Sequence, residues 1–185
     1  MEDTKIIELL WQRSENGIDA LQRKFGKVLR KLTMNILNHE QDAEESVSDT
    51  YLALWNAIPP AKPDPLSAFV YRIGRNTALN RLRNRTAQKR SAYEVSLEEL
   101  GDIFPDSVLE EQIDARELGR CINRFLEELD KDSRRLFLRR YWFGDAVGQL
   151  AAQEGLREGN VSVRLHRIRS KLKDYLIQEG FWHEE

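Results

Sequence analysis

The chain has 185 residues, with 29 Lys and Arg against 31 Asp and Glu, 41% hydrophobic residues and 32% charged ones. That length holds one domain or two small ones, and the apolar fraction suffices for packed cores under a heavily charged surface. A single cysteine, Cys121, excludes an intramolecular disulfide. The acidic start MEDTKIIELLWQR is unlike a secretory signal, and no apolar run approaches the roughly 18 residues of a membrane span, so a cytoplasmic protein without membrane insertion is expected.

Helical periodicity governs nearly every segment. Leu21, Phe25, Val28, Leu29, Leu32 and Ile36 form one apolar stripe, and Val47, Tyr51, Leu54, Trp55 and Ile58 a second. The second helix must stop at Pro59-Pro60, because neither proline donates a backbone hydrogen bond. AKPDPL is a stiff, proline-rich connection, with Asp64-Pro65 placed to start the next helix. In that helix Leu66, Phe69, Val70, Ile73 and Thr77 share a face, while Leu79 and Leu82 fall opposite, so it is either buried on two sides or bent near Asn76. Periodicity then fails from Ala92 to Ser107, where at most one helical turn near Leu97–Leu100 is expected. Leu118, Ile122, Phe125 and Leu129 resume it around Cys121, which reads as a buried thiol. Asp130 is placed to cap the next helix, with Leu136, Phe137, Tyr141 and Trp142 as its stripe. No useful strand-like alternation appears. The fold class is all-α: two small helical domains, residues 1–91 and 108–185, joined by an acidic linker over 92–107.

The formal charge of −2 hides segregation of sign. Between Pro65 and Tyr93 there is no acid, but Arg72, Arg75, Arg81, Arg83, Arg85, Lys89 and Arg90 are basic. From Glu94 to Glu117, nine acids face only Arg116. Basic character returns with Arg134, Arg135, Arg139 and Arg140 and continues to Lys171.

DAVGQLAAQEGLREGNVSVRLHRIRSKL has helix-turn-helix spacing: small Ala151 at the crossing, Gly155 in the turn, Val161 opening the second helix's buried stripe with Leu165, Ile168, Leu172 and Leu176. Its other side carries Arg157, Asn160, Arg164, Arg167 and Lys171, either the solvated face of a terminal helix or, as the spacing favours, donors suited to base edges and phosphates in a major groove. Arg157 stands where a capping serine would be expected, and Gly148 and Gly159 each cost about 1 kcal/mol of helix stability relative to alanine.

YWFGDAVGQLAAQEGLREGNVSVRLHRIRSKL resembles the promoter-reading C-terminal domain of sigma-70-type transcription initiation factors. DAEESVSDTYLALWNAIPP resembles that family's polymerase-binding helix, and PLSAFVYRIGRNTALNRLRNRTAQKR its −10-element helix. In this order, within so short a chain, they resemble a minimal sigma factor of the extracytoplasmic-function class. The resemblance implies a non-enzymatic factor that binds core RNA polymerase, reads −10 and −35 elements and aids promoter melting, with no cofactor. Asp42, Glu45 and Asp49, on one helical face, would bind the coiled coil of the largest polymerase subunit, and the flap would be a further contact. Tyr71, Arg72, Arg75, Asn76, Asn80, Arg81, Arg83 and Arg85 would engage the −10 element, single-stranded once melted. The loop Ala61 to Ser67 would capture a flipped base. Arg157, Glu158, Asn160, Ser162, Arg164, Arg167 and Lys171 would engage the −35 duplex. An anti-sigma factor is a candidate partner.

The acidic linker is either merely solvated or masks the basic surfaces in cis, in which case neutralising Glu98, Glu99, Asp102 and Asp106 raises non-specific DNA affinity. The alternative is a one-component helix-turn-helix regulator with a helical sensor domain. A metal protein is disfavoured: His39, Glu40, Asp42 and Glu44 lie close in sequence without ligand spacing.

Overall fold

The computed structural model describes residues 2–83, 91–101 and 115–181. Among them every regular element is helical. The chain divides into two compact units, Met1–Ser91 and Ala92–Glu185.

The first unit contains α1 (Asp3–Trp11), α2 (Asn16–Leu37), α3 (Glu40–Ala57) and α4 (Leu66–Arg83). α2, α3 and α4 pack on one another, and α1 lies on α2. Leu21, Phe25, Leu29, Leu54, Ile58, Leu66 and Val70 form the core with Ile6 and Leu10. Val28, expected in the buried stripe of α2, is 37% exposed at that stripe's edge. α2 ends where Asn38 takes a left-handed conformation (φ 49°) and donates to the Met34 carbonyl. His39 then caps α3, its Nδ1 accepting from the Asp42 N–H at 3.3 Å. That contact gives this histidine a structural use. Buried Thr33 ties α2 to α3 by donating to the Ala43 carbonyl at 3.2 Å. α3 stops at Ala57, just before the prolines.

α4 runs unbroken from Leu66 to Arg83. Its buried residues are Leu66, Val70, Gly74 and Ala78. Leu79 and Leu82 are half-buried, so the helix carries apolar residues on two sides. Gly74 sets how close it comes: a Cβ there would stand 2.5 Å from Leu29 Cδ2 and 3.5 Å from Thr50 Cγ2.

The second unit contains α5 (Ala92–Gly101), α6 (Ala115–Glu128), α7 (Lys131–Phe137), a π-helical turn (Leu138–Trp142), α8 (Val147–Glu154) and α9 (Glu158–Gln178). Its core gathers Cys121, Phe125, Leu136, Phe137, Tyr141, Leu150 and Ala151 with the buried stripe of α9. Trp142, expected to share the α7 stripe, is 38% exposed. Asp130 caps α7 as expected, accepting from the Asp132 and Ser133 N–H groups at 3.1 and 2.9 Å.

The expectation of a nearly structureless linker needs correction. Residues 92–101 form α5, ten residues long, which packs on the π turn and belongs to the second unit. The rest of that segment, Asp102 included, lies outside the described residues. Glu99 shows how an acidic helix is held. Arg140 donates to it from Nη2 and Nε (2.6 and 3.1 Å), Tyr141 Oη at 3.2 Å and Arg169 Nη1 at 3.4 Å. Arg169 also donates to Tyr141 Oη at 2.7 Å. Burial pushes the Tyr141 phenol up to about 12, partly opposed by the Arg169 hydrogen bond.

Candidate nucleic-acid interface

The helix-turn-helix follows from its sequence. α8 ends at Gly155, which takes φ 63° and donates to the Ala151 carbonyl. A β-carbon is disfavoured in that conformation, which explains the glycine. Arg157 is the extended N-cap of α9 and makes no side-chain cap. A Cβ at Gly148 would meet Glu158 Oε1 at 3.1 Å. Glu158 therefore leans back on α8.

All seven residues assigned to the −35 duplex are exposed. Asn160, Arg164, Arg167 and Lys171 recur at helical spacing on the side away from the core. Among the described residues, Arg157, Arg164, Arg167 and Lys171 have no ion-pair partner. Arg169, by contrast, is drawn in to Glu99 and Tyr141. Arg169 is thus turned inward, where it binds the unit together, while Arg164, Arg167 and Lys171 form an outer row that faces solvent.

α4 shows the same division. Arg72, Asn76, Asn80 and Arg83 are exposed at i, i+4, i+8 and i+11, one continuous stripe opposite the buried Gly74 and Ala78. The Arg72 guanidinium sits 5.3 Å over the Phe69 ring. Arg75 is half-buried. Tyr71 packs edge-on against Phe25, ring centroids 5.8 Å apart, and burial raises its phenol pKa. Its ring serves the core. Arg85 lies outside the described residues.

Arg81 departs from the expected DNA set. It turns toward α3, with Nη1 2.6 Å from Glu45 and Nη2 3.0 Å from Asp49, and Asp42 3.8 Å away. The hydrogen bond from Arg81 lowers the Glu45 carboxyl pKa, and the bonds that Arg81 donates to Asp49 and Glu45 raise its own. Two groups of residues assigned to different partners therefore meet. The acidic face continues into Leu52, which is 60% exposed and follows Asp49 by three residues. Sequence reasoning passed over this leucine. An apolar residue outside its helix's buried stripe was the available signal.

Sequence reasoning also passed over the wall that α1 supplies to the 61–67 loop. Trp11, Ile7, Lys62, Asp64 and Leu66 help line a cavity of about 550 Å³. Trp11 Nε1 donates to the Ala61 carbonyl at 3.3 Å, and Lys62 Nζ lies 4.8 Å over its ring. Among the described residues no group of His, Cys, Asp and Glu has the geometry of a metal site, and no helix is long and apolar enough to cross a membrane.

Residues 21–88 match the family model for Sigma-70 region 2, and residues 119–172 that for Sigma-70 region 4. The chain belongs to the sigma-70 family. Among curated relatives it is 26% identical over 164 residues to the ECF RNA polymerase sigma factor SigE of Mycolicibacterium smegmatis, an overlap of 88% of this chain and 62% of that protein. It is 28% identical over 172 residues to the RNA polymerase sigma factor CnrH of Cupriavidus metallidurans, covering 88% of each. It is also 28% identical over 180 residues to the RNA polymerase sigma factor NccH of Alcaligenes xylosoxydans xylosoxydans, covering 93% of this chain and 95% of that one. The solved structure of CnrH in complex with the cytosolic domain of CnrY aligns over 96% of this chain and 99% of that one, at 23% identity and a TM-score of 0.45. The protein is a sigma factor of the extracytoplasmic-function class, and sigma factors direct promoter-specific transcription initiation. With region 2 in the N-terminal half, the alternative of a sensor domain is replaced.

Proposed function

We propose that this sigma factor divides its work among three helical faces. The acidic row of α3, Asp42, Glu45 and Asp49, with Leu52 as an apolar anchor, docks on the coiled coil of the largest polymerase subunit, and the second unit reaches the flap. The outer stripe of α4 (Arg72, Asn76, Asn80, Arg83) engages the −10 strand. The cavity beside the 61–67 loop takes a flipped base against Trp11. The outer row of α9 (Arg157, Asn160, Arg164, Arg167, Lys171) enters the −35 major groove, and Ser162 and Glu158 flank it. Arg81 holds the acidic row in place instead of touching DNA. The factor acts in the cytoplasm on its own polymerase, and an anti-sigma protein would silence it by covering these faces.

The observation that carries the reading is the outward row of α9, whose cations have no partner among the described residues while Arg169 is tied inward. Reconstituted with core RNA polymerase, a variant with Arg164→Ala and Arg167→Ala should bind core normally yet lose promoter binding. The slope of log affinity on log salt should become shallower by about 2, since each phosphate contact contributes about 0.9. Charge reversal at Glu45 and Asp49 should instead abolish core binding. Unchanged initiation in the arginine variant would refute the α9 assignment.

A further inference from the structure

One residue on the outer face of α9 has a chemistry that phosphate and purine contacts leave unused. Val163 is 49% exposed, whereas Val161, Leu165, Ile168, Leu172 and Leu176 in the same helix are at most 4% exposed. It follows Asn160 by three residues and precedes Arg167 by four, which places it within the outer face and not at its margin. No other large hydrophobic of α9 is exposed among the described residues. Propensity does not account for it, because a β-branched side chain is an indifferent helix former. Packing does not either, because its methyls face solvent.

Position supplies the reason. Val163 lies in the second turn of α9, and the N-terminal part of a recognition helix is what contacts base edges. The major groove is otherwise a pattern of donors and acceptors, and its apolar feature is the C5 methyl of thymine. Arginine and asparagine read guanine and adenine edges, but hydrogen bonding does not detect a methyl. A valine between them does.

We propose that Val163 is a specificity-determining residue that packs against the C5 methyl of a thymine in the −35 element. This rests on the reading of α9 as the groove-entering helix. Burying one methyl corresponds to about a four-fold preference for thymine over the same base without it.

Deoxyuridine differs from thymidine only by that methyl, so the test is direct. Holoenzyme assembled from the full chain and core RNA polymerase selects −35 elements from a randomised duplex pool. Each thymine of the strongest element is then replaced in turn by deoxyuridine. Binding is measured for the native chain, V163A and Arg167→Ala. The expected result is one thymine whose replacement weakens native holoenzyme about four-fold and leaves V163A unaffected. Because Val163 is exposed and alanine is the better helix former, V163A retains the fold. The inference is overturned if no thymine is methyl-sensitive, or if V163A loses as much as the native chain. When Arg167→Ala impairs promoter binding and every deoxyuridine duplex binds normally, only the Val163 assignment falls. When Arg167→Ala has no effect, the groove reading falls and takes this inference with it.

Discussion

Replacing Glu99 by glutamine keeps the side chain's shape and removes the charge on which three donors converge. The Arg140 side chain is only 3% exposed, Arg169 is 16% exposed and Glu99 itself 26%. Removing one partner of a fully buried pair costs about 3–5 kcal/mol, because the surviving charge is left desolvated. Arg140 keeps its bond to the Asp145 carbonyl at 2.9 Å, and water reaches Glu99. Both discount the figure, leaving about 2 kcal/mol. For a domain of this size each kcal/mol shifts the melting midpoint by about 4–8 °C, so the second unit should melt roughly 8–16 °C lower. Calorimetry of the full chain reads this as a shift of one transition. Hydrogen exchange assigns it through faster exchange in α5, α9 and the π turn, with α2–α4 unaltered. A shift under about 2 °C would refute the reasoning, because the carboxylate would then contribute no more than an exposed ion pair. A double-mutant cycle with Arg169→Met should yield a coupling of about 0.5–3 kcal/mol.

Gly74→Ala places a methyl against buried Leu29. Overpacking costs about 1–3 kcal/mol, and the gain in helix propensity returns about 1. Net destabilisation of the first unit by up to about 2 kcal/mol should appear in denaturant titration, whereas net stabilisation would show that Leu29 yields. Tyr141 makes stability fall in alkali. Its phenol ionises near 10 in the unfolded chain and near 12 in the fold. The burial-linked stability is therefore complete below pH about 10 and lost as pH rises toward 12. Tyr141→Phe should remove that part of the slope, and identical slopes for the two proteins between these values would contradict the assignment.

The helix-turn-helix was legible because local chemistry announces each part: small Ala151, a glycine that must take positive φ, and an unbroken apolar stripe. α5 was not. Its buried positions include Ser96, whose hydroxyl donates to the Tyr93 carbonyl at 2.7 Å, so a hydrophobicity pattern sees no stripe. Its acids look solvated until Arg140 and Arg169 arrive from 41 and 70 residues away. Long-range pairing also explains Arg81, 36 residues from Glu45. Nothing local distinguishes it from Arg83, which faces solvent. The outer stripe of α4 was obscured because Leu79 and Leu82 suggested a second buried side, whereas both are only half-covered.

The grip of Arg81 on α3 has a consequence for how strongly the first unit attracts a basic surface from a distance. Three carboxylates and one guanidinium leave a net −2 instead of −3 on that patch. Long-range steering is correspondingly softened, and encounter rates should respond less to ionic strength than a bare triad would dictate. On the docking role proposed for that face, recognition leans on contact geometry, with the exposed leucine beside it, more than on attraction across solvent.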